Sequence, residues 1–506
     1  MSSLILMTAP PSSYEPNADA EGTFIVFGGL DRGVGENPAV TKSYRNDTCH
    51  SPAISLFAMP PKQVTETTSM GDVSLTELSL SQGETSESVR KLLDPILSGS
   101  SPSYAAYSSQ IYFTKHQTSQ TLAVTPNLAL LEESARARLP SEAYNYAAGG
   151  AGLESTVSRN VSAFKTYSIV PRMLRPILPR RDLTRTVFGQ KLPAPIVMAP
   201  IGVQKLFHSD GELGTAKVFG EMGLPYTMST ASSTGMEDVA RANGAGNPRW
   251  YQLYWPTDDE LTRSYLNRAK ASGYEVLVVT VDTWELAWRP RDLETGFFPF
   301  IDGVGTTLGL EDPVAQSRLG FDATNKMASK EQKTMANLYH VVSTSRGVSP
   351  RWENLHKLRT WWGKGPIVLK GIQSVHDAQL ALEYGIDGII VSNHGGRQVD
   401  GAIASLDALG PIVNATGGKL TIGFDSGIRC GADIFKALAI GADFVQLGRP
   451  ILWGLALNGE EGVRHVLKCL LAEFDLTVGL SGCTGLSDIS RDILATRYSS
   501  PIRSLL

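Results

Sequence analysis

Short apolar runs recur along this chain, and one after another ends in a polar residue of a type suited to proton transfer or anion binding. RWYQLY (249–254) ends in Gln252 and Tyr254, and VLVVTVD (276–282) ends in Thr280 and Asp282. Lys370 closes PIVLKG (366–371), and GIIVSN (388–393) leads through Ser392 and Asn393 into His394. Asp425 ends KLTIGFD (419–425), and Arg449 lies in DFVQLGRP (443–450). A single lysine or aspartate in such a place is more often half of a structural ion pair. Repetition over six runs points instead to one shared site. Within it, His394 is the one histidine accompanied by a carboxylate, Asp282, and by a guanidinium, Arg397, three residues on. A carboxylate supports an imidazole that takes up a proton, and a neighbouring arginine clamps an anion, so the set reads as a general base beside a carboxylate or phosphate. Two glycine-containing turns, DSGIRCGAD (425–433) and LGRP (447–450), add Arg429 and Arg449. Exposed backbone N–H groups with bidentate guanidinium are what a phosphate ester needs, although an ordinary turn with a surface arginine has the same composition. No HExxH, metal-spaced carboxylate pair or CxxC is present, so no metal is expected, and redox work would need an organic cofactor.

Two more runs, LPAPIVMAP (192–200) and PYTMST (225–230), precede the six and make eight. Their apolarity is continuous rather than alternating, which means strands buried on both faces of a parallel sheet. The spacing of roughly 22–33 residues fits β-strand plus α-helix units. An α/β fold of the (β/α)8 TIM-barrel class is therefore expected, with a long insertion over 290–350, after the fourth strand, acting as a lid. Barrel enzymes place chemistry at the C-terminal ends of their strands, where the polar residues fall. An open doubly wound sheet is the competing topology, but no GxGxxG follows the first run. The stretch LALLEESARARLPSEAYNYAAGG (128–150) reads as helices closing the barrel from its N-terminal side, with Gly149 and Gly150 at a C-cap.

Over 506 residues the formal net charge is −4, which offers no basic field for nucleic acid or an anionic membrane. Cys49, Cys430, Cys469 and Cys483 are scattered, against a disulfide framework or a zinc site. The N-terminus lacks a cationic signal-peptide start, no run approaches the roughly 18 apolar residues of a membrane span, and the C-terminal SLL is not a clean peroxisomal address. An intracellular location, cytoplasmic or peroxisomal, is the expectation, and the NDT, NVS and NAT sequons then carry no meaning. Residues 1–102 are Ser-, Thr-, Pro- and Gly-rich and read as a disordered low-complexity extension, apart from a possible docking helix at 86–98. The enzyme domain is placed at 103–506.

SNHGGRQVD (392–400), together with VLKGI (368–372), DSGIRCGAD and LGRP, resembles the FMN-dependent 2-hydroxy acid oxidase and dehydrogenase family. TVDTWELAWRPRDL (280–293), YNYAAGGAG (144–152) and APIGV (199–203) are most similar to lactate 2-monooxygenase and its fungal-type relatives. The resemblance implies bound FMN, a small 2-hydroxy acid substrate, O2 as electron acceptor and a homo-tetramer. It further implies that His394 takes the substrate proton with Asp282 supporting its charged form, that Arg397, Tyr146 and Arg289 hold the substrate carboxylate, and that Tyr254 bonds the hydroxyl. Lys370 would sit near flavin N1. Ser229, Gln252 and Thr280 would hold the pyrimidine edge, Pro200, Ile201 and Gly202 would face N5, and Ser392 would line the flavin. Asp425, Ser426, Gly427, Arg429, Gly448 and Arg449 would bind ribityl and phosphate. Ala231 stands where glycolate oxidases usually carry tryptophan, so a wider pocket is expected unless neighbours refill it. A haem-fused relative would need two axial histidines in the extension, and residues 1–100 contain only His50. Alternatives are a phosphate-binding flavin barrel of another reaction class, which does not call for the His394–Arg397 pair, and a non-catalytic flavin-binding interaction protein, which has no use for His394 with Asp282.

Overall fold

The computed structural model describes residues 103–496 except 120, 179 and 346. The 1–102 extension, with its expected helix at 86–98, and the C-terminal SLL lie outside the described residues. In chain order, α1 (Ala106–Thr118), α2 (Leu131–Arg138), α3 (Ser141–Ala148) and α4 (Ser155–Ala163) are followed by β1 (Tyr167–Ile169) and a hairpin of β2 (Arg185–Val187) and β3 (Gln190–Leu192). Alternation then begins with β4 (Ile196–Met198), α5 (Gly211–Glu221), β5 (Tyr226–Ser229), α6 (Met236–Asn243), β6 (Arg249–Leu253), α7 (Asp259–Ala271) and β7 (Val276–Thr280). The insertion contributes α8 (Pro290–Thr295), α9 (Thr307–Leu310), α10 (Pro313–Leu319) and α11 (Lys330–Thr344), before α12 (Leu355–Trp362) resumes the repeat. It continues with β8 (Ile367–Ile372), α13 (Val375–Glu383), β9 (Gly388–Val391), α14 (Ser405–Thr416), β10 (Thr421–Phe424), α15 (Gly431–Ile440), β11 (Phe444–Leu447) and α16 (Arg449–Leu480). Finally β12 (Leu494–Thr496) returns to pair antiparallel with β1.

The eight strands β4 to β11 form one sheet in the order β4-β11-β10-β9-β8-β7-β6-β5, and every neighbouring pair in it is parallel. Its two ends meet where Met198 N donates to Pro225 O at 3.0 Å, closing the barrel. All residues of β5, β6 and β7 are buried, which is why these strands read as unbroken apolar runs. Alternation along each strand divides the burial in two. One set faces the surrounding helices, and a smaller set, including Val197, Trp250, Val278, Val368, Ile390 and Phe444, forms a separate inner core. Two residues further along the same inward faces stand Gln252, Thr280, Lys370, Ser392 and Gln446, so the strand period of two places them in the layer above that core.

The end opposite the site is closed differently from expectation. Val187 and Leu192 of the β2–β3 hairpin belong to the inner core, and Phe188 at its turn meets Trp250 and Phe444 edge-to-face at 5.6 and 6.1 Å. The 128–150 helices lie at the mouth instead, where Tyr146 and Ala147 line the cavity. Gly149 does follow the last residue of α3, but in extended rather than left-handed conformation (φ −60°, ψ 151°). That geometry belongs to a segment whose carbonyls must turn towards Arg397 and Arg449.

Candidate active site

The loop after β9 runs through three successive left-handed residues, His394, Gly395 and Gly396 (φ 58°, 67° and 78°). Only two of them are glycines, and the third is a histidine whose strain costs about 1–3 kcal/mol in typical cases. A Cβ on Gly395 would lie 2.7 Å from Arg449 Nη1, and one on Gly396 would lie 2.7 Å from the Val157 backbone. Polar clamps hold the strained turn: His394 N and Gly395 N donate to the hydroxyls of Ser392 (3.1 Å) and Ser426 (3.0 Å), and Gly396 N donates to Asn393 Oδ1 (3.0 Å). Asn393 in turn exchanges two 2.7 Å amide bonds with buried Asn160.

Held this way, His394 Nδ1 lies 2.9 Å from Asp282 Oδ1, with the Thr283 hydroxyl 2.7 Å from the same oxygen and 3.0 Å from the ring. Nδ1–H is thereby committed to the carboxylate, which leaves the Nε2 lone pair as the basic atom. Burial lowers the imidazole below its ordinary value, with Asp282 pulling the other way and Lys370 and Arg289 adding to the decrease. It is therefore neutral, as a base must be before it acts. Burial alone would raise the Asp282 carboxyl, but the His394 and Lys370 charges and the bonds from His394 and Thr283 hold it down at about 2. Lys370 Nζ lies 3.0 Å from Asp425 and donates to Ser392 Oγ at 2.9 Å. Although burial opposes its charge, Asp425 and Asp282 keep the ammonium above its usual value. The Tyr254 phenol is pushed up by burial and by nearby Asp282 and Tyr146, and stays a hydrogen-bond donor.

Guanidinium groups converge on the same mouth with carbonyl partners in place of carboxylates. Arg397 Nη1 donates to the backbone of Tyr146 (2.5 Å) and Gly149 (2.7 Å) and lies over the Tyr146 ring at 5.1 Å. Arg449 donates to Ala147 O (2.9 Å), Gly395 O (3.0 Å) and Gly149 O (3.2 Å). Arg289 bonds Arg397 O and Gln398 Oε1, and Arg429 has its nearest carboxylate, Glu132, at 4.0 Å. Burial, with Arg429 and Arg397 close by, pushes Arg449 down to about 9, and burial with Arg289 nearby pushes Arg397 down to about 10. Such desolvated positive charge demands anions. Arg397 and Arg289 supply one anion site beside His394, while Arg449 and Arg429 supply a second at the β10 and β11 ends.

These groups surround one open cavity of about 1370 Å³, above the roughly 300–1,000 Å³ that holds one drug-sized ligand and large enough for a cofactor with a substrate. Of the expected residues, Tyr146, Pro200, Ile201, Gly202, Ser229, Tyr254, Arg289, Lys370, His394, Arg397, Asp425, Ser426, Gly427, Arg429, Gly448 and Arg449 all line it. Asp282 and Ser392 stand behind, bonded to His394 and Lys370. Gln252 is buried with its Oε1 taken by Ser229 and Thr230, and Thr280 lines a smaller adjoining pocket. Gln252 Nε2, Thr280 Oγ1 and both ends of the Gln446 amide are buried without partners. A flavin ring edge, with alternating carbonyl and N–H groups, fits such orphaned donors and acceptors, and its phosphate fits Arg449 and Arg429.

Sequence reasoning missed Gln446, Thr283 and the insertion's share of the wall, Leu286, Phe300, His340, Val341, Thr344 and Ser345. A glutamine inside the apolar run of β11, and a threonine directly after Asp282, were visible signals. The insertion residues had none. Among the described residues no cluster could hold a metal ion, and no helix is long and apolar enough to cross a membrane.

Comparison with known proteins bears on the same residues. Residues 135–496 match the family model described as FMN-dependent dehydrogenase. The FMN-dependent alpha-hydroxy acid dehydrogenase qulF of Penicillium citrinum is 46% identical over 80% of this chain and 99% of its own length. An L-lactate oxidase of Lysinibacillus sphaericus is 39% identical, over 71% of this chain and 90% of its own. Among solved structures, a crystal structure of mandelate oxidase superposes with a TM-score of 0.63 at 34% identity, covering 74% of this chain and 99% of that one. A barrel whose mouth couples a histidine–aspartate pair to separate anion sites, matched over this span, establishes that the chain belongs to the FMN-dependent 2-hydroxy acid dehydrogenase and oxidase family.

Proposed function

We propose that this chain converts a 2-hydroxy acid to the 2-oxo acid and passes the two electrons to O2. The observation that carries the reading is the His394–Asp282 pair at 2.9 Å, set beside Arg397 and Arg289 on one wall of the cavity. Arg397, with Arg289 and Tyr146, binds the substrate carboxylate and so orients C2 and its hydroxyl. Tyr254 donates a hydrogen bond to that hydroxyl. His394 Nε2 accepts one proton from the substrate, and Asp282 stabilises the imidazolium that results. Bound FMN supplies the two-electron acceptor, which O2 re-oxidises with formation of hydrogen peroxide. Gln252, Thr280, Gln446 and Ser229 hold its ring edge, while Pro200, Ile201 and Gly202 bring backbone against it. Lys370, charged and braced by Asp425 and Ser392, offsets negative charge arriving on the ring. Asp425, Ser426, Gly427, Gly448, Arg429 and Arg449 hold ribityl and phosphate.

The purified yellow protein, mixed anaerobically with a panel of 2-hydroxy acids, should lose its flavin absorbance. Persistence of the oxidised spectrum with every acid would exclude the oxidation. Aerobic products then separate peroxide release from decarboxylation of the oxo acid by peroxide, read as carbon dioxide. Assembly into a homo-tetramer is part of the proposal and is supported by an exposed apolar stretch, in which Leu174 is 104%, Met173 68% and Leu178 66% exposed. Sedimentation of the holoenzyme tests it.

A further inference from the structure

Ala231 forms part of a wall that the insertion completes. Val203 N donates to Ala231 O at 2.9 Å, and a Cβ on Gly305 would lie 2.5 Å from Val203, 2.8 Å from Phe300 and 3.0 Å from Ala231 O, so these four positions are in close contact. Immediately after Gly305, the Thr306 hydroxyl donates to Asn337 Oδ1 at 2.7 Å, and Asn337 Nδ2 donates to Ile301 O at 3.0 Å, fastening α11 to this turn. One helical turn on, His340, Val341 and Thr344 of α11 face the cavity. The space beside Ala231 is therefore not refilled by a bulky neighbour; it continues to α11. No residue named on this wall carries a charge. His340 is buried, and the absence of any nearby acid leaves burial alone to push it down to about 4, so it is a neutral imidazole. Its Nδ1 lies 3.4 Å from Tyr265 Oη, which leaves Nε2 for a ligand.

We infer that this wall receives the side chain of the 2-hydroxy acid, that the side chain is uncharged and larger than methyl, and that His340 hydrogen-bonds a polar atom at its far end. The inference rests on the oxidation proposed above and names its substrate class. A charged side chain would be buried here with no counter-ion, at a cost that an uncharged one avoids. A hydrogen unit, as in glycolate, would leave the apolar wall unused.

The test is kcat/KM of the FMN-loaded enzyme for glycolate, lactate, 2-hydroxy-4-methylpentanoate, malate, 3-phenyllactate and 3-(4-hydroxyphenyl)lactate, with Ala231→Trp, His340→Phe and His340→Gln, and with flavin content measured for each. The wild type should favour the bulky uncharged acids over glycolate and malate by about tenfold or more. Ala231→Trp should reduce that preference by about tenfold, His340→Phe should abolish discrimination between the hydroxyphenyl and phenyl acids, and His340→Gln should restore part of it. Preference for glycolate or malate, or selectivity unmoved by both Ala231→Trp and His340→Phe, overturns the inference. Flavin that no acid reduces overturns the oxidation itself instead.

Discussion

The cavity has two walls of different construction. Strand ends build one of them: Lys370, Ser392, His394, Asp425 and Arg449 are each locked by short polar contacts to a neighbouring strand or loop. The insertion builds the other from Leu286, Phe300, His340 and Val341, with Leu286 40% exposed and the outer side of α11 showing Met335 and Val342 at 56% and 54%. The first wall is buried, charged and rigid; the second is apolar, neutral and held to the barrel by few polar bonds. The difference assigns chemistry to the strand ends and selection among substrates to the insertion, because proton transfer needs fixed geometry whereas an apolar pocket discriminates by shape.

Substitutions that sharpen this contrast should differ in size and in kind. His394→Ala should keep its flavin and lose about 10²–10⁴-fold in kcat, the usual worth of a positioned base, as measured by single-turnover flavin reduction. Retention of wild-type reduction rates would remove the base from the strand-end wall. Next comes Arg397→Lys, which keeps the charge but loses the fork that meets Tyr146 O and Gly149 O; kcat/KM should fall about 10²-fold, the scale of lost positioning. On the opposite wall, Phe300→Ala should change kcat/KM by up to about tenfold, with a sign that depends on the acid, while flavin reduction at saturation changes little. An equal loss for every acid would place Phe300 with the chemistry instead.

Smaller effects appear in pH profiles. Because burial holds His394 below its ordinary value near 6.5, the acid limb of kcat/KM should lie below that pH. Asp282→Asn removes the charge that pulls the imidazole upward, so the limb should move further towards acid while the rate falls. Stability carries the same sign. A histidine depressed on folding takes up its proton first in the unfolded chain, so stability is lost as pH falls through the unfolded value. For His340, ordinarily 6.5 and about 4 when folded, the loss should run between those two limits, and His340→Phe should shrink it in thermal melts.

Legibility in the sequence followed the same division. The eight strands and the site residues on them could be read because a parallel barrel strand has one repeated environment: buried on both faces, inward every second residue, and ending at the mouth. Trp250 to Gln252, Val368 to Lys370 and Ile390 to Ser392 each record that step of two. Gln446 obeyed the same rule after Phe444 and was overlooked only because its neighbours are apolar. The 128–150 helices went astray because an amphipathic helix announces that it packs, not what it packs against.

What the chain alone determined is the local: strand, turn and glycine identity, and the side-chain types at each strand end. What the tertiary structure decided is which of these meet: Asp282 with His394 across 112 residues, Arg449 with the carbonyls after α3 across some 300, and α11 with the wall beside Ala231. The reason is physical. Strand register is set by short-range periodicity and both-face burial, whereas the seating of an irregular insertion depends on a few long-range contacts, such as Thr306 with Asn337, that leave no periodic trace in the sequence.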